Sequence, residues 1–248
     1  EIALLARQYP DDVDAATLYA EALMDTMPWD YWREDSTAKP ETEIVLNTLK
    51  SAIERRPDHP AALHFYIHAV EKEHPELAIA VADRLRDLVP EAGHLVHMPS
   101  HIYIRVGRYH DAVVANLKAI AADASYATQC HAQGLYPVGY MPHNHHFLWF
   151  SAIMAGQRDI AMEAAYHTAE MADKTLMREP GYGTLQHYAS IPLYTLIKFE
   201  EWDNLLNQPA PDEDLAYPIA VWHYARGLAF AHQNQLEQAE QELKALRA

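Results

Sequence analysis

The sequence predicts an all-α protein. Strand signals are scarce, with only 8 Gly and no alternating β-branched runs bounded by hairpin turns. Apolar residues instead recur at i, i+3, i+4 and i+7 through most of the chain. Leu77, Ala78, Val81, Ala82 and Leu85 form one such stripe, and Val113, Val114, Leu117, Ala119 and Ile120 another. Segment after segment then reads as helix, turn, helix and a proline or acidic stop.

Taken in order, DDVDAATLYAEALM opens with a helix from about Val13. An insertion at 28–40 follows. The segment 60–90 is a helix pair ending at Pro90, the segment 93–123 a second ending at Asp123, and 142–174 a third ending at Lys174. Further first helices are expected from about Gln186 and Ala220. The insertions 28–40, 124–139 and 177–184 carry Pro, Gly, Asp and aromatic residues and read as ordered loops. No Gly/Ser linker divides the chain, so residues 1–248 are expected to form one helical repeat domain. Glu1 stands inside a helical pattern, which points to a fragment of a longer chain. A signal peptide could have preceded it, so the compartment is left unassigned.

The turns Gly-Arg-Tyr-His-Asp-Ala (107–112) and Gly-Gln-Arg-Asp-Ile-Ala (156–161) match each other. They resemble the Gly-x-Tyr-x-x-Ala turn of the tetratricopeptide repeat (TPR). The block 64–119 also resembles a group of bacterial TPR proteins, functionally uncharacterised, that carry a similar His-Met-Pro-Ser-His segment. The resemblance implies a right-handed superhelix of about six helix-turn-helix repeats, whose first helices line a concave groove. For generic members it implies protein–protein interaction.

Composition excludes several functions. Net charge is −16, with Lys+Arg 19 against Asp+Glu 35, which argues against non-specific binding to nucleic acid or anionic membranes. The longest apolar run, 147–156, is too short to span a bilayer. A single cysteine rules out an internal disulfide framework. No Gly-rich phosphate loop, nucleophile elbow or His-Glu-x-x-His motif is present.

The unusual feature is 16 His. Positions 2, 5 and 9 of a first helix share one face, and in TPR proteins those positions resemble one another in facing the groove. The three central repeats place Ala61, His64 and His68, then His94, His97 and His101, then His143, His146 and Phe150 there. Composition alone would put about 0.6 His in nine slots. His64 with His68, and His97 with His101, are i, i+4 pairs, a spacing at which two imidazoles on one helix can hold one ion. Glu71 follows His68 by three residues, and Glu21 occupies the slot that His68 and His101 hold in their repeats. His187 sits at a position 2 and could extend the groove.

Several His with a carboxylate fit Zn, Cu, Ni, Fe or Mn. The expected ligands are His64, His68, His94, His97, His101, His143 and His146, with Glu21, Glu71 and His187 as further ligands or orienting partners. If the site is catalytic, Glu71 is the candidate general base for metal-assisted hydrolysis or oxidation. The alternative is an adaptor gripping a peptide or protein partner in the same groove without metal, its acidic surface favouring a basic partner.

Pro99 falls inside the His-rich first helix. Either it kinks that helix, aiming His94 and His97 differently from His101, or the helix begins at Pro99 and 94–98 is loop. His59, His74, His110, His131, His167, His223 and His232 have no partners at ligand spacing and read as surface or packing residues. Met98 and Met141 offer thioethers beside the cluster but read as gap-filling core. Cys130-His131 is weak evidence for any site.

Overall fold

The computed structural model describes residues 1–130 and 141–247. It is helical, with no strand among the described residues beyond an isolated bridge between Trp32 and Ala38. Two compact units divide the chain, Glu1–Gln129 and Cys130–Ala248.

The first unit contains α1 (Ile2–Gln8), α2 (Val13–Asp25), α3 (Pro40–Arg55), α4 (Pro60–Val70), a 3₁₀ turn (Pro75–Ala78), α5 (Ile79–Leu85), α6 (Gly93–His97), α7 (Pro99–Tyr103) and α8 (Tyr109–Cys130). Local chemistry sets the starts. Asp12 Oδ1 accepts the N–H groups of Asp14 and Ala15 to cap α2. Proline occupies the first turn of α3 and α4, where its missing N–H costs nothing. His59 Nδ1 accepts the Ala62 N–H at the head of α4, and its Nε2 lies 2.7 Å from Asp14 Oδ1, tying α4 to α2. This is the packing role expected of His59.

The core of this unit is built from Leu49, Leu63, Ile67, Val70, Ala78, Ala82, Leu85, Met98, Ile102 and Tyr103. Met98 is therefore core filling, as expected. The far end of α7 is pinned by the Tyr103 hydroxyl, which donates to Asp83 at 2.8 Å, while Arg108 lies over the Tyr103 ring. The insertion at 28–40 is ordered, its Trp32 Nε1–H donating to the Ala69 carbonyl of α4.

The second unit contains α9 (Met141–Met154), α10 (Arg158–Met171), a 3₁₀ turn (Leu176–Arg178), α11 (Gly183–Lys198), α12 (Trp202–Leu206), α13 (Ala216–His232) and α14 (Leu236–Leu246). Its core includes Leu193, Leu196, Leu205, Val221, Ala225 and Ala229. Gly107 and Gly156 both take positive φ, 79° and 69°, the left-handed turn that the matching sequence motif requires.

Three expectations are corrected. The helix runs through Asp123 to Cys130, so 124–130 is helical rather than loop and Asp123 is not a stop. Asp123 is buried, its carboxylate packed so tightly against Gly93 that a Cβ there would lie 1.9 Å from Oδ1. The helices expected from Gln186 and Ala220 begin earlier, at Gly183 and Ala216. His131 and the rest of the second insertion lie outside the described residues.

Pro99 produces a kink. Residues on both sides are helical, and Met98 itself keeps helical dihedrals, φ −49° and ψ −39°. The segment His94–His97 is therefore helix, not loop. Proline withholds the N–H that would bond the Leu95 carbonyl, and the ladder breaks there into two short helices.

Candidate metal centre

Three helices of the first unit bring five imidazoles and one carboxylate together. His64 and His68 stand one turn apart on α4, ring centres 4.8 Å apart. Glu71 follows at the C-cap of the same helix. His94 and His97 come from α6 and His101 from α7, with His97 and His101 ring centres also 4.8 Å apart. His97, His101 and Glu71 are buried. Possible ligand atoms of His64, His68 and His94 lie within 4.8 Å of one another, and so do those of His68, Glu71 and His101. The chain thus has histidine clusters positioned to hold a metal ion.

The hydrogen bonds decide which nitrogens face inward. Asn116 Nδ2 donates to the Ala112 carbonyl at 2.8 Å, which turns Asn116 Oδ1 toward His97 Nδ1 at 2.7 Å. A carbonyl oxygen only accepts, so His97 carries its hydrogen on Nδ1 and its lone pair on Nε2. Glu71 repeats the device twice. Its Oε2 lies 2.5 Å from His101 Nδ1 and its Oε1 2.8 Å from His68 Nδ1. A carboxylate or amide oxygen on the outer nitrogen is the arrangement that orients ligating histidines and raises their basicity.

Two Nε2–Nε2 approaches result, His97 to His101 at 2.9 Å and His64 to His94 at 3.1 Å. Zn–N bonds near 2.0–2.1 Å at tetrahedral angles keep two ligand nitrogens about 3.3–3.4 Å apart. The pairs are close to that separation before any ion is considered.

Burial sets the protonation of the site. Burial, reinforced by the neighbouring imidazoles, pushes His64 down to about 2 and His94 down to about 4. Burial also lowers His101, against the opposing pull of Glu71. For Glu71, burial alone would raise the carboxyl, but the bonds from His101 and His68 outweigh it and hold it well below the usual carboxylate range. At neutral pH His64, His94 and His101 stand neutral near the Glu71 carboxylate, which is the protonation state that metal ligation requires of these groups.

Four further expected residues come from other helices. Glu21, half-buried on α2, is raised by burial and by Asp25, and belongs to none of these converging groups. His143, His146 and His187 lie in the second unit. There His143 packs on Phe147 (ring centres 4.6 Å), and His146 stacks on Trp149 and approaches His187 at 5.5 Å. His187 Nδ1 is 3.2 Å from the Tyr217 hydroxyl. His146 and His187 thus sit in an aromatic nest.

Sequence reasoning missed Asn116, nineteen residues from the histidine it orients, and Trp29, whose ring meets His68 edge-on at 5.1 Å. It also missed His145, half-buried and pushed down to about 4 mainly by burial. Asn116 carried a signal of a kind, a lone Asn within the apolar stripe of a helix. No family model matches the chain, and no curated protein matches it.

Proposed function

We propose that this chain is a TPR-like helical repeat protein that binds a transition metal through His64, His68, His94, His97 and His101, with Glu71 and Asn116 as orienting partners. One observation carries the reading. His97 Nε2 and His101 Nε2 face each other at 2.9 Å while both outer nitrogens are committed to oxygen acceptors. Two lone pairs at that distance repel unless a cation, a proton or a metal ion, lies between them. The depressed affinity of the buried imidazoles for protons favours the metal.

All-nitrogen ligation with an outer carboxylate fits Zn, Cu, Ni, Fe or Mn. Glu71 serves better as an orienter than as a general base, because its oxygens are each engaged and its proton affinity is low. The turns at Gly107 and Gly156 and the succession of helix pairs support the TPR-like part of the reading, which includes the superhelix.

The test is elemental analysis of tag-free protein purified without chelator and then incubated with each of the five metals. Wild type should retain near-stoichiometric metal. The variant His64→Ala/His94→Ala/His97→Ala/His101→Ala should retain none. No metal in wild type, or equal metal in both, would overturn the proposal.

A second reading is a metal-independent peptide groove. It is favoured by the cluster of Tyr194, Tyr217 and His187 in the second unit, in which Tyr217 is exposed. The net charge of −16 suits a basic partner. Binding of a basic peptide that survives both chelation and the four substitutions would support it.

A further inference from the structure

We propose that the histidine cluster holds two ions rather than one, and that Glu71 couples them. The inference rests on the metal reading above and specifies its stoichiometry and its regulation.

The cluster is not one shell. His64 and His94 approach through Nε2 at 3.1 Å, and His97 and His101 approach through Nε2 at 2.9 Å. A four-coordinate ion keeps all its ligands about 3.3–3.4 Å from one another, so each pair fits one ion. The pairs belong to different groups. Ligand atoms of His64 and His94 converge with one of His68, whereas His101 converges with His68 and Glu71.

Glu71 stands between the two groups. His68 and His101 both turn Nδ1 toward it, one to each carboxylate oxygen. That leaves His68 Nε2 to complete a three-imidazole position with His64 and His94. His101 Nε2 is left to form the second position with His97, which supplies two of that ion's ligands. One carboxylate therefore orients a ligand at each position without belonging to either.

Coupling follows from this geometry. An ion at the first position fixes the His68 ring and, through Oε1, the carboxylate plane. The same plane sets Oε2, and hence the ring of His101. The first ion thereby pre-organises the second position, which is positive cooperativity.

The experiment uses the full metal-free chain, titrated with Co(II) by visible absorption and with Zn(II) by elemental analysis after desalting. Wild type should take up two ions per chain with a Hill coefficient above one. His64→Ala/His94→Ala and His97→Ala/His101→Ala should each take up one, without cooperativity. Glu71→Gln should still take up two, about 10–100-fold more weakly and without cooperativity. A single ion in wild type, abolished by either double variant, would overturn the two-ion proposal and leave the metal reading standing. Unchanged cooperativity in Glu71→Gln would overturn the coupling. No ion in wild type would end both. Helicity by circular dichroism monitors folding, and the same pairs changed to Asn replace any alanine pair that fails to fold.

Discussion

His97 and His101 meet Nε2 to Nε2 at 2.9 Å across the Pro99 kink, each held from behind by an oxygen of another helix. Asn116 of α8 holds the first and Glu71 of α4 the second. The backbone break between them separates two short helical segments, yet the rings converge because both segments are packed into the core through Met98 and Ile102.

Ion binding to this pair should appear as stability. A ligand at a hundred times its dissociation constant contributes about 2.7 kcal/mol. For a chain of this size that corresponds to a rise of roughly 5–10 °C in melting temperature. Scanning calorimetry with and without Zn(II) should show the rise in wild type and a smaller one in His97→Ala/His101→Ala. Identical shifts in the two proteins would count against the site.

Asn116→Leu should weaken metal binding about 10–100-fold, because the outer partner that fixes the His97 tautomer is lost. It should also destabilise the metal-free chain by about 1–3 kcal/mol, since it removes both the His97 bond and the bond to the Ala112 carbonyl. Competition with a chromophoric chelator and urea denaturation measure the two effects separately. An affinity equal to wild type would remove Asn116 from the site.

Gly93→Ala should be disruptive despite its conservative appearance. The added Cβ would meet Asp123 Oδ1 at 1.9 Å and the Ala119 carbonyl at 3.0 Å. Relief requires the buried Asp123 side chain to turn or α6 to move away from α8, carrying His94 and His97 with it. A loss of about 1–3 kcal/mol is expected from such overpacking, together with weaker metal binding. Adding Asp123→Ala should restore part of each, because the nearest clash is with that side chain. A double variant no better than the single one would show that the Ala119 carbonyl dominates.

Acid should destabilise the metal-free protein between about pH 6.5 and 4. Burial holds His94, His145 and His146 down to about 4 in the folded chain, with neighbouring imidazoles adding to the effect. An unfolded histidine titrates near 6.5. Above that value both states are neutral and these groups add no pH dependence. As the pH falls below it, the unfolded chain takes up protons that the folded chain refuses, and stability is lost, by up to about 1.4 kcal/mol per unit for each group. Thermal midpoints measured across this range should fall, and His146→Gln should reduce the slope. Flat midpoints would contradict the burial of these rings.

Much of the helical order was legible because it depends on local chemistry. Ala78, Ala82 and Leu85 declare a buried face by spacing alone, and Gly107 and Gly156 announce left-handed turns. The five imidazoles were legible because helical periodicity puts them on one face. Asp123 was misread because an acid after an apolar stripe usually meets solvent, whereas here Gly93 leaves room for it inside. Asn116 could not be linked to His97 because their contact depends on how α8 packs against α6. Glu21 matched by repeat position, yet it carries no ligand atom in the converging groups.

Trp29 gives the site an optical consequence. Its backbone takes φ 61° in the loop after α2, and its indole lies edge-on to His68, ring centres 5.1 Å apart. An open-shell ion held by His68 would sit within a few bond lengths of that fluorophore, close enough to drain its excited state. Copper or nickel bound there would dim the Trp29 emission, and zinc would leave it lit.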